Sequence, residues 1–474
     1  MKGKETSRCC RPPWLSRALG EALIFVAVAA SGVAAQRAEL ERSIRQTRLP
    51  NGLQVIVVEN HGVPLATVEI DVRNGSFTQD SGYEGLAHLY EHMFFRADSD
   101  YPEADAFETR ASELGAVFNG STEEERVNYY LTLPSDSVDA GMRLMASAVV
   151  KPLFRTDELD RERAVVIGEY DRDQSQPGFA FQRAMGHALW TSAWPRKDPL
   201  GQRAAILHTT PQQMREIQHR YYVPNNSALI VTGDVDPQSV FHSAARIFAG
   251  WKRAGDPFRQ WPIPSVPPLK SDTGVLVTAP ISSAVVMLQW QGPSASEDPA
   301  STYAADVFSD VLNQSESRLQ RTLVDSGLFE SLSVNYYTLN HVGPITISGV
   351  TTAANVRKAI TALEAEIAKF ADPGYFSPAE LEPVKRQRIA GTMFGLERAS
   401  GFAHQLGFWW AVTGLDYYLG YVDAMAKETV PDLQRYARHY IVGKPHVRGV
   451  LIDTQANRVV RLTAAELGHW GGHP

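Results

Sequence analysis

A chain of 474 residues with 44% hydrophobic and 21% charged side chains can bury at least two cores, which excludes a disordered or fibrous protein. The formal net charge of -7 at pH 7, without a basic run interleaved with aromatics, argues against nucleic acid as a partner.

Residues 1–35 read as a signal peptide. Lys2, Lys4, Arg8, Arg11 and Arg17 make a basic leader, 22–35 is uncharged, and Val33-Ala34-Ala35 before Gln36 has the small residues of a cleavage site. The run is short for a bilayer, which needs about 20 apolar residues. The mature chain is therefore expected to start near Gln36, with no stable membrane span, retention as an N-terminal anchor being the alternative. Both cysteines, Cys9 and Cys10, lie in this segment, so the mature protein has neither a disulfide nor a thiolate. Together these features fit an exported protein, periplasmic in a bacterium or secreted.

Strand patterns rich in Val and Ile cover 53–59 and 66–72, with Asn60-His61-Gly62 as a turn, which predicts a hairpin. A polar loop at 74–85 then leads into the most chemically loaded stretch, Gly85-Leu86-Ala87-His88-Leu89-Tyr90-Glu91-His92-Met93-Phe94-Phe95. On a helix His88 and His92 are one turn apart and Glu91 lies between them angularly, so all three can point to one side. Neutral imidazoles suit Zn²⁺, and a catalytic zinc takes three protein ligands while keeping a position for a water whose pKa falls to about 7. A carboxylate beside it, Glu91, can take the proton as hydroxide attacks a carbonyl. The rival reading, an amphipathic helix with two half-buried histidines, leaves those polar groups without partners.

His88-Leu89-Tyr90-Glu91-His92 resembles the inverted zinc motif of the M16 metallopeptidases, the pitrilysin, insulysin and mitochondrial-processing-peptidase family. Gly85-x-Ala87-His88, Met93-x-Phe95 and Leu49-Pro50-Asn51-Gly52-Leu53 are similar to that family as well. Further along, a helix is expected at 104–114, then a strand from 115 to 122 and another at 127–131. The resemblance implies that the first of these is an exposed sheet edge to which substrate adds as an extra strand, with Asn119 bonding the substrate backbone. Val127 departs from the family's more frequent threonine.

A helix at 135–150 carries a Met and Leu stripe. Thr156 reads as the N-cap of the next helix, with Asp157 and Glu158 in its first turn. Glu162, Val165, Val166 and Glu169 share one face there, so two carboxylates sit on an apolar stripe, where a metal site removes the cost of unpaired charge. Glu169 follows His92 at the separation of the family's third zinc ligand, and Glu162 matches the acidic residue that supports the site from behind. The segment 188–201 with Trp194-Pro195, and the run 221–235, also resemble family segments, and a helix at 237–248 closes the first domain.

The segment 251–272, with Pro257, Pro262, Pro264, Pro267 and Pro268, reads as an extended linker. The second half repeats the plan, with strands near 275–278, 284–290 and 345–350 and helices at 302–313 and 355–370. Aligning 376–382 with 155–160 sets Val384 against Glu162 and Gly391 against Glu169, so the repeat carries no second metal site. Phe408, Trp409 and Trp410 read as core.

The expected fold is α+β, two homologous domains that are each a mixed or antiparallel sheet covered by helices. The expected boundaries are 1–35 signal peptide, 36–250 metal-binding domain, 251–272 linker and 273–474 second domain. The resemblance implies a zinc endopeptidase of the family's short, two-domain branch, with one Zn²⁺ per chain on His88, His92 and Glu169, and with Glu91 as general base on a metal-bound water. Its substrates are expected to be peptides or unfolded segments. A non-catalytic chaperone-like or assembly subunit is the alternative. In the family the C-terminal half lends an arginine and a tyrosine to the zinc site, whereas this chain has Val324 and Glu330 in those places, which implies a heterodimer with a paralogous subunit that supplies them, the alternative being that Arg321, or Tyr336 and Tyr337, substitute from nearby.

Overall fold

The computed structural model describes residues 41–394 and 399–470, so the expected signal peptide lies outside the described residues. Six strands form the first sheet: β1 (Ile44–Arg48), β2 (Gln54–Glu59), β3 (Leu65–Val72), β4 (Val117–Thr122), β5 (Val127–Pro134) and β6 (Ser227–Gly233). Their order is β1-β2-β6-β3-β5-β4, with β2 and β6 parallel and the other neighbours antiparallel. The hairpin expected from β2 and β3 does not form. The strand β6, buried along its whole length, is inserted between them, and the connection crosses its end, where Asn60 N donates to Gly233 O at 2.8 Å. A strand this apolar demands the centre of a sheet, and that demand overrides the local turn.

The second sheet holds β7 (Thr273–Thr278), β8 (Ala284–Ser294), β9 (Ser331–Tyr336), β10 (Val342–Thr351) and β11 (Val447–Ile452) in the order β7-β11-β8-β10-β9. With β7 matched to β2, β11 to β6, β8 to β3, β10 to β5 and β9 to β4, this is the order of the first sheet without β1, and the parallel pair recurs in the same place. The fold is therefore α+β with two related sheets covered by helices. The strands β9 and β11 add to those legible in the sequence.

The helices that matter most are α1 (Leu86–Phe94), α2 (Val138–Val150), α3 (Thr156–Gln174), α4 (Phe179–Trp190), α5 (Pro299–Asn313) and α6 (Ala399–Val412). One core lies between the first sheet and α1, α2 and α3, and a second lies between the second sheet and helices that include α5. The remaining faces of the sheets are covered reciprocally. From the first half, α4 places Phe181, Met185 and Leu189 against Val275, Met287 and Val447 of the second sheet. From the second half, α6 places Phe402, Leu406 and Trp410 against Ile56, Val58 and Ile230 of the first. Trp410 is thus core, while Phe408 and Trp409 are half-buried.

The segment expected as an extended linker contains a helical turn, Pro257–Gln260, which Asp256 caps by accepting from Phe258 N, and Trp251 belongs to the first core. The exchanged packing is close. A Cβ on Gly449 of β11 would collide with Met185 and Phe181 of α4, and one on Gly407 of α6 would collide with the Asp71 carboxylate of β3. Gly449→Val should lower the melting temperature by several degrees, since overpacking costs about 1–3 kcal/mol. Gly420→Ala, whose Cβ meets nothing within 4 Å, should not. Equal melting of the two variants in scanning calorimetry would contradict the exchange.

Candidate metal centre

The position of α1 follows from its two faces. Leu86, Leu89, Tyr90, Met93 and Phe94 are buried in the first core, with Tyr90 stacked on Tyr222 (centroids 3.9 Å apart) and Phe94 on Tyr129 (3.6 Å). Gly85, at φ 88°, turns the chain into the helix from the left-handed region, and a Cβ there would stand 2.8 Å from Leu200 O. The Gln79 side chain caps the helix start by accepting from Gly85 N at 3.0 Å and Ala87 N at 3.3 Å. With the apolar face fixed, His88, Glu91 and His92 fall on the side that meets α3 and β4.

There the structure brings His88, His92 and Glu169 together, with one ligand atom of each within 4.8 Å of the others. The Glu169 Oε2 atom lies 3.5 Å from His88 Nε2 and 3.6 Å from His92 Nε2. Donors bound at about 2.0–2.2 Å in a tetrahedron are about 3.3–3.6 Å apart, so the two separations from Glu169 suit a first-row divalent cation such as zinc. It is the one such cluster among the described residues. Burial, with the charge of His92 adding to it, pushes the His88 imidazole down to about 4, which keeps it neutral as a ligand must be. Burial acts the same way on His92, but the hydrogen bond to Glu162 and the charges of Glu169 and Glu91 outweigh it and raise its pKa.

Glu162 is 4% exposed and bridges two groups: Oε2 lies 3.1 Å from His92 Nδ1, and Oε1 pairs with Arg96 Nε at 2.9 Å. A carboxylate on the far nitrogen of a ligand histidine fixes its ring and tautomer. Thr156, expected as the N-cap of α3, lies inside the helix, with Arg155 at the cap. The helical face foreseen for α3 is only partly inward. Glu162 and Val166 are buried, but Val165 is 48% exposed, because the apolar stripe is narrower than its sequence pattern suggests.

Glu91 is 9% exposed and accepts from Thr122 Oγ1 at 2.6 Å. Burial raises its pKa, against the pull of the Thr122 hydrogen bond and the His92 charge. The strand β4 is held close by Gly120, where a Cβ would stand 2.9 Å from Glu91 Cγ. Among the described residues it pairs only with β5, which leaves its outer edge without a neighbouring strand there. Asn119 is exposed on this edge, its Oδ1 accepting from Gly120 N at 2.9 Å, and it is not part of the histidine cluster. Thr122, Arg96 and Gln79 are the contributors that the sequence reading missed. Arg96 is one turn past His92, a spacing that could have flagged it, whereas Thr122 and Gln79 reach the helix only through tertiary folding.

In the second half α5 takes the place of α1, and the helix Pro378–Phe394 that of α3. Asp306 and Asp310, one turn apart on α5, meet Arg388 from that helix at 3.6 Å and 2.6 Å. An ion-pair cluster therefore stands where the first half has its histidines. Val384 is buried in the core, as a residue opposite Glu162 in the repeat can be. Val324 is half-buried at the end of the helical turn Arg318–Leu323, and Glu330 is exposed, accepting from Ser283 Oγ at 3.4 Å.

Comparison with known proteins bears on the family and the fold. Residues 54–202 match the family model "Insulinase (Peptidase family M16)", and residues 208–388 match "Peptidase M16 inactive domain". The zinc protease PqqE of Helicobacter pylori is 27% identical over 416 residues, 83% of this chain and 89% of that protein. Insulin-degrading enzyme-like 1 of Arabidopsis thaliana is 27% identical over 44% of this chain, which spans only 22% of its length. A crystal structure of a Helicobacter pylori protease superposes with a TM-score of 0.75 at 23% identity, over 86% of this chain and 99% of that one. The periplasmic protease PqqL of Escherichia coli superposes with a TM-score of 0.73 at 17% identity, over 90% of this chain and 49% of that one. These two structural likenesses establish the fold alone.

Because Glu162 holds His92 by its far nitrogen, Glu162→Gln should weaken metal affinity about 10–100-fold without changing the number of ions bound. Competition with a chromophoric chelator measures this, and an unchanged affinity would contradict the orienting role.

Proposed function

We propose, because this chain belongs to peptidase family M16, the insulinase family, that it is a zinc-dependent endopeptidase acting on peptides or unfolded polypeptide segments. The observation that carries this reading is the convergence of His88, His92 and Glu169 donor atoms beside the buried carboxylate of Glu91. In this reading His88, His92 and Glu169 hold one zinc per chain. Zinc bound there supplies a Lewis acid and acidifies a water.

The rest of the chemistry belongs to the protein. Glu91, raised by burial and steadied by Thr122, accepts a proton from water as the new C–O bond forms on the scissile carbonyl. It returns that proton to the amide nitrogen as the C–N bond breaks. Glu162 keeps the His92 ring in place through Nδ1. An extended substrate adds to the free edge of β4, where Asn119 bonds its backbone, so flexible segments are cleaved and folded ones are not.

The domain division we propose is the one expected above: an export signal at 1–35, a metal-bearing domain at 36–250, a connecting segment at 251–272 and a metal-free domain at 273–474. The signal-like leader and the name of the periplasmic relative support export to a periplasm. No helix among the described residues is long and apolar enough to cross a membrane. Val324 and Glu330 offer no donor to a developing oxyanion, so we assign this chain the zinc-bearing role in a heterodimer whose paralogous partner supplies an arginine and a tyrosine. The inactive-domain match at 208–388 favours a second reading, a non-catalytic subunit of the same fold.

Glu91→Gln should keep its zinc and its fold yet lose at least about 10²–10⁴-fold in turnover, while Glu169→Gln should lose zinc as well. Elemental analysis and a fluorogenic peptide assay separate the two, and full zinc content in Glu169→Gln would remove that residue from the ligand set. Expressed alone, the chain should load zinc but cleave slowly. Co-expression with a paralogous subunit that keeps the arginine and tyrosine should raise both turnover and the mass in solution. Robust cleavage by the chain alone would end the two-subunit assignment, and zinc-loaded chain that cleaves nothing with any such partner would favour the second reading.

A further inference from the structure

A cleft of about 480 Å³ opens where the two halves meet, between the end of β3, the β4–β5 and β9–β10 turns, the end of α6 and the 251–272 segment. None of His88, Glu91, His92 or Glu169 lines it. One wall is apolar. Phe77 packs on Phe258 (centroids 5.5 Å apart) and on the His341 ring (5.4 Å), and Ile263 lines the cleft with them. An apolar wall with a few fixed polar groups is the usual make-up of a small-ligand site.

The polar groups are unevenly satisfied. Arg73 lies with its guanidinium over the Trp410 ring, 4.4 Å from the centroid, and Nη2 donates to Trp410 O at 2.9 Å. That carbonyl engages one nitrogen of a group with five N–H donors, and no ion pair is formed by Arg73 among the described residues. Burial, with the nearby charge of Arg48 adding to it, lowers its pKa to about 10, so it stays charged at neutral pH. Glu125 also lines the cleft, but its carboxylate is already engaged. Oε2 accepts from Asn340 N at 2.6 Å, while Oε1 accepts from His341 N at 2.9 Å and bonds His341 Nδ1 at 2.7 Å. What remains is a desolvated cation beside an aromatic wall, with no ion pair among the described residues and only the longer-range attraction of Asp256 to offset its charge. The planar fork of a guanidinium matches a carboxylate in two parallel hydrogen bonds, and a phosphate dianion next to Glu125 would need further cations.

We propose that this cleft binds a carboxylate carried on an aromatic or large apolar group, with the carboxylate on Arg73 and the group against Phe77, Phe258 and Ile263. Two sources share that chemistry, a free arylalkanoic acid and the C-terminal residue of a peptide. Titration calorimetry on the full chain with N-acetylphenylalanine, its amide and 3-phenylpropionate tests the proposal.

The acid should bind saturably and the amide at least about tenfold more weakly, the loss expected for one charge-assisted contact. Arg73→Gln should weaken the acid by a similar factor. Ile263→Glu leaves the contacts of Arg73 with Trp410 in place and adds a competing carboxylate to the lining of the same cleft, so it should do the same even if Arg73→Gln does not fold. Tighter binding of N-acetylphenylalanine than of 3-phenylpropionate supports the peptide terminus, and the reverse order supports the free acid. The proposal is overturned by absence of saturation up to about 10 mM acid, by equal affinity for acid and amide, or by undiminished binding in Ile263→Glu, which would put the acid elsewhere, the histidine cluster included.

Discussion

The desolvation of five ionisable groups between α1, α3 and β4 is the constraint on which the proposed chemistry depends. Two of the carboxylates have protein partners: Glu162 meets His92 and Arg96, and Glu91 meets Thr122. Among the described residues Glu169 instead faces only the two imidazoles, at 3.5 and 3.6 Å. A divalent cation at the point of convergence is the partner that this carboxylate, whose side chain is 31% exposed, and the two imidazole nitrogens can share. The same groups that cost stability in isolation are therefore the reason to assign a metal here.

The surrounding fold keeps those groups from relaxing apart. The aromatic stacks Tyr90 on Tyr222 and Phe94 on Tyr129 lock the rotation of α1, and Gly120 lets β4 approach so closely that a Cβ there would force Glu91 to shift. The β4–β5 turn is in turn tied to the second half. Arg126 Nη1 donates to His404 O of α6 at 2.6 Å, and Glu125 grips the β9–β10 turn. With α4 and α6 exchanged between the sheets, the second half braces the strand edge that we assign to substrate, although its own counterpart of the metal cluster is an Asp–Arg–Asp ion-pair group.

The parts of this arrangement that are local in sequence were legible in it. His88, Glu91 and His92 follow from helical periodicity, and the inward carboxylates of α3 stood out because charge on an apolar stripe needs an explanation. The α+β class and the repeat were legible too, since strand and helix patterns recur in the same order in both halves. Contacts set by distant segments were not. The insertion of β6 between β2 and β3 is decided by an apolar run some 160 residues further along the chain, an order of separation that no turn signal encodes. Neither α4 nor α6 is among the helices read from the sequence, and no local pattern tells which sheet each covers. Thr122 meets Glu91 only because β4 is folded against α1, and Val165 was misplaced because a four-residue pattern cannot reveal where a helix face meets solvent.

The central claim is that a metal ion joins His88, His92 and Glu169. Anomalous diffraction from crystals of the zinc-loaded chain, recorded on both sides of the zinc absorption edge, tests it most directly. The account predicts one peak per chain, within bonding distance of about 2.0–2.2 Å from both histidine Nε2 atoms and a Glu169 oxygen, with Glu91 close by but not a ligand. A peak at any other group of residues, or none in crystals that contain zinc, would contradict it.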